Sequence, residues 1–274
     1  MRTALLQLTS GDDPEANLIA TLAAMREAAA QGAGFILTPE VTNCLSASRA
    51  HQRAVLHHED YDPTLAGLRD AARELGVWLL IGSLAVKTLD EDARFANRSY
   101  LIDPKGKINA RYDKMHMFDV QVSDSETYRE SAGYRPGTRA VVAQTPFAKL
   151  GLSICYDVRF SYLYRALAHS GAQVLCVPAA FSRVTGAAHW EVLLRARAIE
   201  TGCYVLAPAQ CGENSKGRAT WGHSMVVAPW GEVLADGGDD PCIVYTDIDL
   251  AAVESARARV PALSHDRAFE GPLG

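Results

Sequence analysis

An α/β fold is what this chain predicts, on three observations. Short runs rich in Val, Ile, Leu and Ala alternate with segments whose apolar residues recur at helical spacing, the pattern of layered α/β architecture. With 48% hydrophobic and 22% charged residues, 274 residues can bury a sizeable core, and α/β chains often reach this length undivided. No repeat, low-complexity tract or linker interrupts the chain, so a single domain over residues 1–274 is expected.

Each element carries its own signal. Residues 4–9 read as a strand. Residues 14–31 read as a helix that places Leu18, Leu22, Met25 and Ala29 on one face and stops at Gly32. A short buried strand, 35–37, leads to Glu40. A second helix, 63–75, aligns Leu65, Leu68, Ala72 and Leu75, and the strand 78–84 follows. Strands 99–102 and 107–112 flank Asp103-Pro-Lys-Gly106, which has hairpin-turn chemistry. From 113 to 139 the pattern fails, and so long a loop in a compact domain usually carries function. Two further strands, a cysteine-bearing elbow, a helix at 160–169, a strand at 174–177, a helix at 189–201 and a strand at 204–207 come next. Strands 225–228 and 232–235, joined by Pro229-Trp-Gly231, read as a hairpin.

The elbow is the most informative stretch: Gly151-Leu-Ser-Ile-Cys155-Tyr-Asp-Val-Arg-Phe160 sets a cysteine where a buried strand hands over to a helix. Backbone N–H groups and a positive helix end there would favour thiolate over thiol, which makes a nucleophile. An isolated cysteine is more often a small buried hydrophobe. Two upstream segments argue for chemistry, because each sets one charged residue in an apolar or turn-like context: Phe35-Ile-Leu-Thr-Pro39-Glu40 and Tyr112-Asp-Lys114-Met-His-Met-Phe-Asp119.

Glutamate at a strand end, lysine in a loop and cysteine at an elbow, in that order, resemble the catalytic triad of the nitrilase (carbon-nitrogen hydrolase) superfamily. The resemblance spans nearly the whole chain. Pro178-Ala-Ala-Phe181-Ser-Arg-Val-Thr185-Gly, His189-Trp-Glu, Ala209-Gln-Cys-Gly212 and Gly222-His-Ser-Met look like the amidase branch acting on deaminated glutathione, and the 243–250 ending is shared with omega-amidases. The resemblance implies a four-layer αββα sandwich, no cofactor or metal, and subunits that pair through helix layers, as a homodimer or a higher even oligomer, with the helix after Cys155 in the contact. Two departures leave the substrate open: Ala187-Ala188 stands before His189, and the 120–134 loop has its own sequence.

Residue by residue, the resemblance implies that Cys155 attacks an amide carbonyl to give a thioester that water hydrolyses. Glu40 would carry the proton, although a lone carboxylate after Thr-Pro could equally be a helix-terminal charge or a salt-bridge partner. Lys114 would hold the oxyanion with the Tyr156 backbone N–H; a loop lysine alone is ordinarily a solvated group. Glu130 matches a second family glutamate that orients the lysine, with Glu126 as the competing position. Arg159, one turn past the nucleophile, could take a substrate carboxylate bidentately or pair with Asp157. Phe181 and Thr185 should line the pocket from a loop. Trp190, Leu193, Leu194 and Ile199 read as core, and Glu191 with Arg195 as an i, i+4 pair.

The formal charge of −5 and pI near 5.9 give no general attraction to nucleic acid or anionic membrane. No apolar run is long enough to span a bilayer, and the chain enters a strand-like segment directly from Met1, so a cytoplasmic location is expected. Six scattered cysteines and eight histidines form neither a zinc signature nor a disulfide framework, and His57-His58 reads as solvated surface. Three rival readings stand beside the amidase: a papain-like protease using His116, His189 or His223, a true nitrilase with the same triad, and a binding protein that keeps the fold.

Overall fold

The computed structural model describes residues 1–122, 126–215 and 218–271. In chain order the strands are β1 (Arg2–Gln7), β2 (Phe35–Leu37), β3 (Trp78–Lys87), β4 (Phe95–Ile102), β5 (Ile108–Asp113), β6 (Asp119–Gln121), β7 (Thr127–Arg129) and β8 (Val141–Gln144). They continue with β9 (Lys149–Leu152), β10 (Val174–Cys176), β11 (Tyr204–Ala207), β12 (Cys211–Ser215), β13 (Arg218–Trp221), β14 (Met225–Val227), β15 (Val233–Asp236) and β16 (Cys242–Asp247). The helices are α1 (Pro14–Ala30), α2 (Arg49–Val55), α3 (Pro63–Leu75), α4 (Ser161–His169), α5 (Arg183–Thr201) and α6 (Leu250–Arg259).

Two six-stranded sheets, ordered β16-β1-β2-β3-β4-β5 and β15-β14-β11-β10-β9-β8, repeat one plan: three central parallel strands flanked by antiparallel ones. Strand alternation sorts the first sheet's side chains into two cores. Leu5, Phe35, Leu37, Leu80 and Leu101 point inward and join Leu150, Leu152 and Leu175 of the second sheet. Ala4, Leu6, Ile36, Leu79 and Ile81 point outward against α1 and α3, while α4 and α5 cover the other sheet. The result is the four-layer αββα sandwich. No described helix is long and apolar enough to cross a membrane.

Helix boundaries follow capping chemistry. Asp13 and Asp62 accept from the first-turn N–H groups of α1 and α3, with Pro14 and Pro63 at the position where a missing N–H costs nothing. The expected face of α1 does pack on the outer core through Leu18, Leu22, Met25 and Ala29, and the buried stripe beside it adds Asn17, Thr21 and Ala28, with Asn17 drawn inward to bond the Gly11 and Asn43 carbonyls. Several expectations are corrected. Helix α5 starts at Arg183, six residues earlier than read, under a Ser182 cap. Gly186 is tolerated inside it because a Cβ there would lie 2.3 Å from Trp221 Cγ. Ile199 is solvent-exposed rather than core, whereas Trp190 and Leu194 are buried and Glu191 pairs with Arg195 at 3.1 Å. The 113–139 stretch holds the short hairpin β6/β7, whose part at 123–125 lies outside the described residues. Helices α2 and α6 lacked a strong apolar period and were not foreseen.

Candidate active site

Glu40 and Cys155 both leave the carboxyl ends of parallel strands, the edge where α/β sheets ordinarily bind ligands. After β2 the chain turns sharply at Val41, whose φ of 47° is strained for a β-branched residue. The turn is held by Val41 N–H donating to Ser83 Oγ at 2.8 Å, by Thr42 Oγ1 donating to Thr38 Oγ1 at 2.8 Å, and by Gly82 N–H donating to Thr38 Oγ1 at 3.0 Å. Gly82 has to be glycine: a Cβ would sit 2.0 Å from the Thr38 carbonyl oxygen and 2.5 Å from that of Pro39.

Cys155 also has positive φ, 48°, and opens a 3-10 turn rather than an α-helix; α4 begins only at Ser161. Its N–H donates to the Pro178 carbonyl at 2.8 Å. Beneath it the buried Asp157 carboxylate accepts from Ile154 N–H (2.8 Å), the Tyr112 hydroxyl (2.7 Å), and both the backbone N–H (3.1 Å) and Nδ1 (2.6 Å) of His116. Asp157 therefore ties the elbow to the lysine-bearing segment and is not the partner of Arg159. Lys114 follows β5, where Asp113 is gripped bidentately by Arg98 at 2.6 and 2.9 Å, and Lys114 N–H donates to the Asn97 carbonyl.

These supports bring three far-apart side chains together. Lys114 Nζ lies 2.9 Å from Glu40 Oε1 and 2.9 Å from each oxygen of Glu130. Asn97 Nδ2 donates to Glu40 at 2.9 Å and to Glu130 at 3.4 Å, Ala180 N–H donates to Glu40 Oε2 at 2.8 Å, and Phe118 N–H to Glu130 Oε2 at 2.7 Å. Exposure is 5% at Glu40, 2% at Lys114 and 8% at Cys155. The Cys155 thiol and the Glu40 carboxylate line the same cavity, and the Glu40 charge acts on the thiol.

The charges follow from this packing. Burial opposes the Glu40 carboxylate, but the charge and hydrogen bond of Lys114 win and hold it below the usual range. Burial likewise opposes the Lys114 ammonium, and Glu130 and Glu40 together raise its pKa. Cys155 is pushed well up, first by burial and then by the Glu40 charge, against the pull of Lys114. The resting cluster is carboxylate, ammonium and thiol, which corrects the expectation of a thiolate favoured by a helix end. A carboxylate on the same cavity wall as the thiol can take its proton, and the ammonium can meet negative charge formed beside it. Cys44 borders the same cavity with a pKa raised to about 12 by burial and by Asp12 and Asp13, and among the described residues its thiol bonds the Asp12 backbone carbonyl rather than a carboxylate.

A cavity of about 500 Å³ opens over the cluster. Glu40, Lys114, Cys155, Glu130, Tyr156, Phe181 and Thr185 all line it, Thr185 from the first turn of α5 rather than from a loop. Glu126 lines it too, but its carboxylate engages the Tyr128 hydroxyl, so Glu130 is the partner of Lys114. Arg159 does not line it. Its guanidinium lies over the Tyr156 ring at 5.9 Å and the Phe181 ring at 5.6 Å and donates to His189 at 3.3 Å. Asn97, the Ala180 and Phe118 N–H groups, and the cavity arginines Arg49, Arg129 and Arg183 were missed from sequence, where no local pattern marks them.

The sequence profile described as carbon-nitrogen hydrolase matches residues 2–258. The chain is 40% identical over 265 residues to a protein named deaminated glutathione amidase from Yersinia enterocolitica, covering 96% of this chain and 92% of that one. It is 36% identical over 273 residues to the omega-amidase NIT2 of Mus musculus, covering 97% and 95%. Among solved structures, the C. elegans NitFhit protein superposes with a TM-score of 0.90 at 37% identity, over 97% of this chain and 65% of that longer one.

Proposed function

The chain belongs to the carbon-nitrogen hydrolase family and is a hydrolase of carbon–nitrogen bonds in linear amides, and from that premise we propose a cysteine-dependent amidase whose preferred substrate is deaminated glutathione. The observation that carries the chemistry is the buried pair of Glu40 and Lys114 Nζ on the same cavity wall as the Cys155 thiol. Glu40 takes the thiol proton as sulfur attacks the amide carbon. The oxyanion forms beside Lys114 Nζ and the Tyr156 N–H, interactions that act only once charge develops. Glu40 returns its proton to the amine, the C–N bond breaks and a thioester remains. Water, deprotonated by Glu40, then attacks the thioester and releases the acid and the thiol. Glu130 and Asn97 hold Lys114 and Glu40 in register, Phe181 and Thr185 shape the cavity, and Arg159 backs the Tyr156–Phe181 wall.

Near-full-length similarity to a deaminated glutathione amidase supports the substrate, with 2-oxoglutarate and cysteinylglycine as products. The omega-amidase relative supports a second reading, α-ketoglutaramate or α-ketosuccinamate with ammonia leaving. Measurement of kcat/KM on deaminated glutathione and α-ketoglutaramate, with Cys155→Ala as blank, decides between them. We expect deaminated glutathione to win by about 10²-fold, some 2.7 kcal/mol in transition-state binding; a preference of that size for α-ketoglutaramate would transfer the assignment to the omega-amidase reading.

In the same reading the subunits pair as a homodimer through the α4/α5 layer, where Tyr162, Val192 and Ile199 are exposed apolar side chains. A reducing cytoplasm suits six free cysteines, of which five are buried.

A further inference from the structure

Outside the ion-paired cluster the cavity wall carries three guanidinium groups, Arg49, Arg129 and Arg183, against one carboxylate, Glu126, which already engages Tyr128. Arg129 stands across the β6/β7 hairpin from Asp119. Among the described residues Arg49 and Arg183 form no ion pair: Arg49 donates only to Gln52, and Arg183 only to the Thr220 carbonyl at 3.5 Å. Lys114, by contrast, is already flanked by two carboxylates. A carboxylate on the substrate has to find its partner on the cavity wall instead.

Arg49 is built for that purpose. Its Nη1 donates to Gln52 Oε1 at 2.7 Å; Gln52 is itself buried and donates to the Tyr134 hydroxyl at 3.0 Å. The guanidinium carbon lies 5.0 Å from the Tyr134 ring centroid, and the group rests against Gly133, where a Cβ would come within 2.1 Å of Cζ. A long side chain held on three sides has lost its rotamer freedom before a ligand arrives, while its remaining N–H groups keep the fork geometry that matches a carboxylate.

We propose that Arg49, assisted by Arg183 at the start of α5, is the receptor for a second substrate carboxylate, one carried by the leaving amine. This deepens the amidase reading and rests on it. The selected class is amides with an anionic group on each side of the scissile bond. An amide that releases ammonia has nothing to offer this subsite; deaminated glutathione offers its glycine carboxylate.

The test is calorimetric binding to the Cys155→Ala protein of deaminated glutathione and of its analogue with the glycine carboxylate capped as a carboxamide. The free acid should bind about 10- to 100-fold more tightly, the range for a charged hydrogen-bonded contact. In the Cys155→Ala/Arg49→Met protein the two should bind within about threefold of each other, and Arg49→Lys, which keeps the charge without the fork, should fall between. Equal binding of acid and carboxamide to the Cys155→Ala protein, or a preference that survives Arg49→Met, overturns the subsite. Turnover by the unsubstituted protein, run in parallel, separates the two ideas: failure to hydrolyse deaminated glutathione sinks the substrate assignment, while the affinity ratio judges Arg49 independently.

Discussion

Glu40 is the residue on which the site's protonation depends. Its carboxylate sits between an ammonium that holds it ionised and a thiol whose ionisation it opposes. Because its pKa is depressed, the carboxylate is lost only as pH falls below the ordinary 4.5, and because the Cys155 pKa is raised, the thiol is lost only above the ordinary 9.0. A kcat/KM profile should therefore be flat between those values, with an acid limb below and an alkaline limb above. An acid limb near 7 would mean that the active free enzyme carries a preformed thiolate, because activity would then be lost as that thiolate is protonated. Glu40→Gln should lower kcat/KM by about 10²–10⁴, the usual weight of a positioned proton carrier, and abolish the acid limb.

At the scale of elements, precision comes from how closely two strand ends approach. Strand β3 passes under the Glu40 turn at Gly82, and the Cβ of Gly82→Ala would meet two backbone oxygens and Pro178, none of which can swing aside. That variant should lose several kcal/mol of stability by overpacking, and what folds should show lower kcat more than higher KM, since Glu40 moves relative to Cys155. Thermal melting and steady-state kinetics check both; an unchanged melting temperature with full activity would show that the strand relaxes freely. Asp157 does the corresponding work on the other side, collecting four donors under the elbow.

For the whole molecule, the outer face of α5 presents Val192 at 68% and Ile199 at 57% exposure, one heptad apart on a helix whose inner face is buried on the second sheet. Paired helix layers would cover them. Val192→Asp with Ile199→Asp should convert a dimer to monomers in sedimentation velocity; a wild-type protein that already sediments as a monomer at micromolar concentration would sink that pairing.

The α/β class and most strands and long helices were legible because periodicity and capping are local: 35–37, 63–75 and 204–207 match the observed bounds, and Asp62-Pro63 and Gly76 mark α3 by chemistry visible in a few residues. Glu40, Lys114 and Cys155 stood out because each is a reactive group in a segment otherwise apolar or turn-like. The four-layer arrangement came with the family resemblance, since periodicity alone does not say which sheet faces which. Charge state, by contrast, was decided only by tertiary packing. The helix dipole expected at Cys155 gave way to burial and the charge of Glu40, a juxtaposition of residues 115 positions apart that no local pattern encodes. Arg159 left the cavity and Arg49 entered it for the same reason: a guanidinium goes where rings, amides and a bare glycine receive it, and those partners are assembled by the fold.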